Sequence, residues 1–222
     1  MITPIFSIWD VKLGAPVADL PEIDTSSISC GTNGGPPSQE LKSFEDYMSC
    51  APEPSGLREV QFTYDDEQDY VARAMSFEYE FAQGGTSVYA HQVIVSVLVD
   101  GGGVVRGIRI VTDNRVSDRD RRIQVTLARN LKARYTASNF ACEELPPAAG
   151  ELPVGKVFEH EVCTAENVQK RQRLRLESIY ARRRGQEAIN RETQKTNSGY
   201  FVSATRFEIV EAPYEPDTTP AR

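Results

Sequence analysis

Four cysteines constrain this chain more than any other feature. Cys30 and Cys50 are 20 positions apart, and Cys142 and Cys163 are 21 apart. Structural zinc sites usually take ligands in closely spaced pairs, whereas this chain has no CxxC arrangement and only two histidines. The spacing therefore predicts two disulfides, and Cys30 with Cys50 and Cys142 with Cys163 is the preferred choice among the three possible connectivities. The alternative is four buried free thiols, since free cysteine is often buried.

Both cysteine pairs enclose irregular, polar sequence. Residues 31–37 hold three glycines and two prolines, and residues 143–162 mix proline, glycine and acidic side chains. A disulfide that closes a loop of this length stabilises a fold by about 3 kcal/mol in the chain-entropy model. Disulfides persist in oxidising compartments, so the pairing predicts an extracytoplasmic protein, periplasmic or secreted. Residues 1–10 do not resemble a signal peptide, so this location requires that the signal is absent from this chain, and the alternative is a cytosolic protein.

Composition indicates a folded protein. The chain has 222 residues, of which 40% are hydrophobic and 26% charged, values near the average for globular domains. Residues 1–210 are predicted to form a single α+β domain, with a possible soft division near 136–150, followed by an extended tail over 211–222. The tail is rich in proline and polar residues and has no pattern that would bury it. No apolar run approaches the length that spans a bilayer.

The clearest element is a long β-hairpin. Valines alternate along residues 93–99, Asp100 and three glycines supply a turn, and residues 105–111 return with β-branched side chains. A second hairpin is predicted from residues 60–64 and 70–81 around an acidic turn. Residues 169–184 are compatible with a strand or a helix, because Leu174, Leu176, Ser178 and Tyr180 alternate whereas Leu176, Ile179 and Tyr180 suit a helix. The strand is favoured, since Arg171, Arg173 and Arg175 then share one face, and residues 199–210 read as the last strand.

Two segments have helical spacing. Ile123, Leu127, Leu131 and Tyr135 recur every four residues after a possible cap at Ser117 or Asp118, which predicts the main amphipathic helix. Residues 39–48 predict a short second helix. The fold class is therefore α+β and strand-dominated, with antiparallel hairpins or a meander, one main amphipathic helix and two disulfide-stapled loops.

Catalytic motifs are scarce in the sequence. His91 and His160 are the two imidazoles that could act as bases, and neither lies in a recognised nucleophile motif. The glycines at 101–103 lack the lysine and spacing of a phosphate loop and are better explained as a hairpin turn. The sequence therefore favours a protein that is not an enzyme and that needs no cofactor.

One acidic cluster offers an alternative. The sequence YDDEQDY places four carboxylates within five positions, where they would repel one another unless a hard cation such as Ca²⁺ neutralised them: Asp65, Asp66, Glu67 and Asp69. The spacing differs from the twelve-residue calcium loop, and a solvated hairpin turn explains it more simply. The alternative function that depends on this cluster is a carboxylate-dependent or calcium-binding enzyme of unrecognised type, with Asp65, Asp66 or Glu67 as the candidate acids. A second acidic set, Asp113, Asp118 and Asp120, is better explained by helix capping and local pairing.

Acidic and basic residues are distributed unevenly along the chain. Residues 1–100 carry 16 acidic and 4 basic side chains, whereas residues 101–222 carry 16 acidic and 21 basic ones. Internal complementarity of the two halves explains this difference, and the alternative is a molecule with one acidic and one basic face that orients a partner. The basic stretch 170–195 could bind polyanions, but the net charge of −7 and the lack of a recognised motif make nucleic acid a weak candidate.

These observations predict a non-catalytic extracytoplasmic binding protein, an accessory or structural subunit of a larger protein assembly. The predicted partner-binding residues lie on the main helix, on the arginine-rich strand and in the tail: Arg119, Arg122, Arg129, Arg171, Arg173, Arg175 and Tyr214. No transmembrane segment is expected.

Overall fold

A computed structural model describes residues 8–20, 28–63, 86–89, 91–115, 124–183, 188–189, 196–197 and 201–221. These ranges contain one α-helix, α1 (Gln124–Arg134), and short 3₁₀ helices at Ile8–Asp10, Val17–Asp19, Phe44–Ser49 and Thr136–Ser138. The strands are β1 (Ser29–Cys30), β2 (Arg58–Phe62), β3 (Ser87–Val88), β4 (His91–Val99), β5 (Val105–Thr112), β6 (Ala141–Glu144), β7 (Glu151–Leu152), β8 (Glu159–Asn167), β9 (Gln172–Arg183), β10 (Ala188–Ile189), β11 (Thr196–Asn197) and β12 (Phe201–Glu211). The strand-dominated α+β class is confirmed.

Ten of these strands form one antiparallel sheet. Its order is β1-β2-β4-β5-β12-β9-β8-β6, with β3 attached to β4 and β7 attached to β9, while β10 and β11 pair separately. The last strand of the chain, β12, lies between β5 and β9 and pairs with both. The C-terminal strand therefore holds the two halves of the sheet together.

The predicted central hairpin is confirmed as β4 and β5. The carboxylate of Asp100 accepts hydrogen bonds from the backbone N–H groups of Gly102 and Val104 and holds the turn closed. Gly103 has φ of +77°, a left-handed conformation that favours glycine. Burial opposes the charge of Asp100, but hydrogen bonds from Arg106 and from these N–H groups outweigh it and lower the pKa of that carboxyl.

The apolar side chains of the sheet gather on one face, called here the apolar face. They come from β2, β4, β5, β12, β9 and β8: Val60, Phe62, Val93, Val95, Val97, Val99, Ile108, Ile110, Phe207, Ile209, Leu174, Leu176 and Cys163. Helix α1 packs on this face against β12, β9 and β4, with Leu127 and Leu131 fully buried. The predicted amphipathic helix is confirmed from Gln124 onward, and its predicted caps at Ser117 and Asp118 lie outside the described residues.

Aromatic side chains extend this core beyond the end of α1. Tyr135 stacks on Phe207 with ring centroids 5.2 Å apart, and Trp9 stacks on Tyr89 at 5.5 Å. The guanidinium of Arg134 lies 4.1 Å from the centre of the Trp9 ring, a cation–π contact. Burial raises the pKa of Tyr135 to about 12, so its hydroxyl stays protonated at physiological pH.

The predicted short helix over residues 39–48 is wrong in its extent. The backbone of Gln39 and Leu41 bonds instead to Cys30 and Ile28, which keeps this stretch extended beside β1. A 3₁₀ helix forms only afterwards, at Phe44–Ser49, and ends at Cys50. Pairing with a neighbouring strand satisfies the backbone groups that a helix would have used.

Candidate binding surfaces

The second face of the sheet, called here the polar face, carries buried charges. Strand alternation that directs Ile108 and Ile110 to the apolar face directs Arg109 of β5 to the opposite face. Arg109 lies across from Ser96 of β4 and Glu208 of β12 in the ladder register. Arg109 is fully buried, and Arg206, Glu208 and Glu59 are each 2% exposed. Such charges are tolerated only when they are paired.

Arg109 is the centre of this buried cluster. Its guanidinium donates to both oxygens of Glu53, at 2.6 and 3.0 Å, and its Nε donates to Glu208 at 2.8 Å. Glu59 lies 3.1 Å away on the same guanidinium. Burial opposes the charge of Arg109, but the hydrogen bonds to Glu53 and the charges of Glu208 and Glu59 outweigh it and raise its pKa. Arg109 therefore stays charged and holds three carboxylates together.

The glycine-rich loop 31–37 covers part of the cluster. The backbone N–H groups of Asn33 and Gly34 both donate to the carboxylate of Glu59. Successive N–H groups in this conformation form a concave anion-binding nest, which Glu59 occupies from within the same chain. Arg206 in turn donates to the carbonyl of Asn33 at 3.1 Å. The buried disulfide between Cys30 and Cys50 closes the loop.

Residues 212–221, called here the C-terminal strap, lie along the polar face. The N–H of Asp217 donates to Glu208 at 3.0 Å, and the side chain of Asn33 donates to the hydroxyl of Thr219 at 3.0 Å. Burial opposes the negative charge of Asp217, but hydrogen bonds from Thr219 and the positive charge of Arg206 outweigh it and lower its pKa. The strap lacks regular secondary structure, yet Ala221 near its end is 3% exposed.

The strap also engages several predicted partner-binding residues. Arg173 donates to the carbonyl of Pro213 and to the carboxylate of Glu215. Tyr214 packs against a buried cluster of Leu57, Leu98 and Val210. The tail that the sequence predicted to lack any means of burial is thus held by its own chain, because Leu57 and Leu98 of the apolar cluster beneath it are distant in sequence.

The remaining predicted arginines differ in surroundings. Arg175 donates to Glu177 at 2.7 Å, and its side chain is 13% exposed. Arg171 precedes β9, is exposed and donates weakly to the carbonyl of Ala212. Arg129 lies on α1, on the other side of the sheet, so the structure does not bring it together with the β9 arginines. Arg119 and Arg122 lie outside the described residues.

Arg129 lines a groove of about 320 Å³ between α1 and the β6–β8 edge of the sheet. Its charged lining residues are Arg129, Lys132, Glu144, Glu159 and Glu161, and the other lining residues are Ala128, Leu145, Phe158 and His160. The ammonium of Lys132 contacts Glu161 at 2.5 Å, and Glu159 accepts a hydrogen bond from Ser178. Within the described part of the chain, Arg129 and Glu144 form no ion pair, so their charges are available to a ligand.

A second cavity of about 490 Å³ lies near the other edge of the sheet. It is lined by residues of β1, β2 and β4, by the segment 37–40 and by residues that follow β2 and β5, including Gln61, Phe62, Thr63, Thr86 and Arg115. The last three of these are each the first or last residue of a described range. Because its border runs into segments outside the described ranges, no site is assigned to this cavity.

The two histidines hold elements together. His91 is 6% exposed; its Nδ1–H donates to the carbonyl of Tyr89 at 2.6 Å, and Nε2 lies 2.5 Å from the hydroxyl of Thr126 on α1. This places a base beside a hydroxyl, but neither His91 nor Thr126 lines the groove or the second cavity, whereas His160 is among the residues that line the groove. Nε2 of His160 lies 3.0 Å from the buried Glu177. Both side chains have structural partners.

The predicted calcium ligands Asp65, Asp66, Glu67 and Asp69 lie outside the described residues. In the described ranges, one group of metal-ligating side chains converges: Cys142, Glu161 and Cys163. Both cysteines are joined in a disulfide, which removes the thiolates that a metal would need. This group therefore does not form a metal site.

Sequence reasoning missed the buried charge cluster. Its signal is present, because Arg206 and Glu208 alternate with Phe207 and Ile209 along the last strand. Charges at every second position are typical of a solvated face, but these are buried by loop 31–37 and by the C-terminal strap. Glu53 and Glu59 come from the acidic half of the chain and Arg109 from the basic half, so the cluster shows the internal complementarity of the two halves.

No helix within the described ranges is long and apolar enough to cross a membrane. Comparison of the chain with protein-family models, with curated proteins and with solved structures finds no match.

Proposed function

We propose that this protein is a non-catalytic binding subunit of an extracytoplasmic protein assembly and that it contacts its partner through the groove lined by Arg129. The observation that carries the proposal is that some of the predicted contact residues are bonded within the chain while Arg129 is exposed. Arg173, Arg175 and Tyr214 are engaged by their own chain, whereas Arg129 is exposed at the rim of a concave surface.

The rest of the fold supports binding more than catalysis. The acids and bases of the polar face are paired with one another beneath a loop and a strap, so they are withheld from substrates. Both disulfides fix irregular segments without providing a free thiol. A rigid scaffold with its charges satisfied internally suits a subunit that must present one surface at a fixed geometry.

The location is part of the proposal, and the two disulfides support it. Mass spectrometry of the protein taken from its native host, alkylated before and after reduction, tests this part. We expect all four cysteines to be protected until reductant is added. Four thiols that react in the unreduced native protein would contradict the extracytoplasmic location.

Charge reversal of two exposed arginines tests the binding surface. Arg129→Glu changes the groove on one side of the sheet, and Arg171→Glu makes the same change on the other side. Cross-linking of the tagged protein in its native host identifies the partner, and its affinity for each purified variant is then measured. We expect Arg129→Glu to weaken binding by about tenfold and Arg171→Glu to leave it nearly unchanged. The reverse order, or no loss with Arg129→Glu, would refute the groove as the contact surface.

Removal of the tail is a poorer test. A chain that ends near Val210 would lose the whole strap, uncover the apolar cluster beneath Tyr214 and leave Arg206 without Asp217. Loss of binding would then follow from damage to the fold. Single charge changes at exposed positions avoid this difficulty, because surface substitutions usually change stability by less than about 0.5 kcal/mol.

A further inference from the structure

Strand β6 forms one edge of the sheet. Within the described ranges, no strand pairs with its outer side, and its four residues are all exposed. The N–H of Leu145, which follows β6, donates to the carbonyl of His160 at 2.7 Å. Hydrogen-bonded and non-hydrogen-bonded pairs alternate along an antiparallel ladder, so the backbone groups of Glu143 point toward β8. Those of Cys142 and Glu144 point outward, away from the sheet.

This edge is continuous with the groove. Glu144 lies opposite Glu161 in the ladder, and Glu161 contacts Lys132 of α1, so the side chain of Glu144 lies on the face that α1 covers. Glu144 also lines the groove. Glu143 lies opposite Val162, and its side chain is directed to the other face. An added strand beside β6 would therefore place every second side chain next to the groove.

The edge is held in place. Cys142 and Cys163 are directly opposite each other, and their disulfide ties β6 covalently to β8. After β6, Pro146 and Pro147 have no N–H groups and cannot extend the ladder. The outward backbone groups are thus confined to a short segment with a defined position, which reduces the ordering cost of binding a partner strand.

We propose that β6 accepts an extended segment of a protein partner by strand addition, with a basic side chain of that segment seated in the groove against Glu144. The inference rests on the proposed function and names the mode of recognition at that same surface. Backbone hydrogen bonds to Cys142 and Glu144 supply affinity, and the groove supplies specificity. The position of the basic residue follows from Glu144, which has no ionic partner within the described ranges, while Lys132 already neutralises Glu161. Arg129, which lines the same groove, contacts an acidic group elsewhere on the partner.

The two acidic positions of β6 allow a matched test. Glu144→Pro removes one outward N–H and leaves the bonds to β8 intact, and proline is tolerated at a strand edge in this orientation. Glu144→Lys reverses the charge beside the groove, and Glu143→Lys makes the same change on the other face. The probe is a random ten-residue peptide library displayed on phage and selected on the full wild-type chain. Binding of the enriched peptides is measured by calorimetry, and hydrogen exchange maps the protected amides.

We expect enriched peptides that are rich in β-branched residues and carry a lysine or arginine. Glu144→Pro and Glu144→Lys should each weaken their binding by about tenfold, and Glu143→Lys should change it less than about twofold. The amides of Cys142 and Glu144 should become protected from exchange. Thermal unfolding of each variant confirms that the fold is retained.

Three results would overturn strand addition: no enriched peptide, equal binding to Glu144→Pro, or protection that maps away from β6. The proposed function is judged separately by Arg129→Glu and the native partner. If that partner is lost with Arg129→Glu but binds Glu144→Pro normally, the groove is the contact surface and strand addition is refuted. If the peptides bind as expected but the native partner ignores Arg129→Glu, the proposed function fails while β6 remains a strand-accepting edge.

Discussion

The two disulfide loops resemble each other in sequence and differ in structure. Both close about 20 residues that contain glycine, proline and acidic side chains. Loop 31–37 is folded over the polar face, where its backbone satisfies Glu59 and Arg206. The segment between β6 and β8 lies mostly exposed at the sheet edge, and its disulfide joins two paired strands. One disulfide thus closes the loop that covers the buried charge cluster, and the other fixes a strand at the exposed edge of the sheet.

This difference shows that the stabilisation provided by a disulfide depends on the contacts that its loop makes with the rest of the fold. The chain-entropy contribution is nearly the same for two loops of equal length. Only the first loop also supplies hydrogen bonds to buried charges, which are costly to leave unsatisfied. The two regions should therefore respond unequally to matched changes.

The largest effect is expected at the centre of the buried cluster. Arg109→Met removes the cation that pairs with Glu53, Glu59 and Glu208, and buried carboxylates without a partner cost about 3–5 kcal/mol of stability. Chemical denaturation measures the change. Arg115→Met is the control, because Arg115 pairs with Asp113 at the surface with 58% of its side chain exposed and should cost less than about 1 kcal/mol. Equal losses in both variants would show that the cluster is not a stabilising centre.

Removal of each disulfide should give a smaller difference. Replacing Cys30 and Cys50 by alanine, or Cys142 and Cys163 by alanine, removes about 3 kcal/mol of chain-entropy stabilisation in either case. The first pair should cost about 1–3 kcal/mol more, since a loosened loop leaves Glu59 and Arg206 with unsatisfied buried groups. The unfolding free energies of the two double variants, measured by chemical denaturation, show which disulfide contributes more to stability. A greater loss of stability in the variant that lacks Cys142 and Cys163 would contradict the larger contribution expected of the first loop.

The smallest effect is expected from two glycines with left-handed backbone. Gly34 and Gly150 have φ of +77° and +90°, so alanine is strained at both, by about 1 kcal/mol. A Cβ at Gly34 would also lie 2.6 Å from a methyl group of Val111, whereas nothing lies within 4 Å at Gly150. Gly34→Ala should therefore lower the melting temperature more than Gly150→Ala. Equal shifts would indicate that loop 31–37 can move off the sheet without cost.

Part of this structure was predictable because it depends on local sequence. Alternation along residues 93–111 predicts the central hairpin, and the four-residue spacing of Leu127, Leu131 and Tyr135 predicts α1. The cysteine spacing predicts both disulfides. Residues 39–48 were assigned wrongly because their backbone bonds to β1, a contact that helical spacing does not reveal.

The candidate site was less predictable. Among the predicted contact residues, Arg129 lines the groove, while Arg173 and Tyr214 are engaged by the strap. Glu144 was not singled out, because an acidic residue before a proline-rich loop is ordinary in sequence. Its importance comes from the edge position of β6 and the direction of its backbone groups.

By itself the sequence determined the fold class, the central hairpin and the main helix and favoured the cysteine pairing, since each follows from periodicity or spacing along the chain. Only the tertiary structure decided that Arg109, Arg206 and Glu208 are buried, that the tail lies on the polar face and that β6 is an edge. The physical reason is that burial and pairing depend on segments far apart in sequence. Asn33, for example, contacts both Arg206 and Thr219.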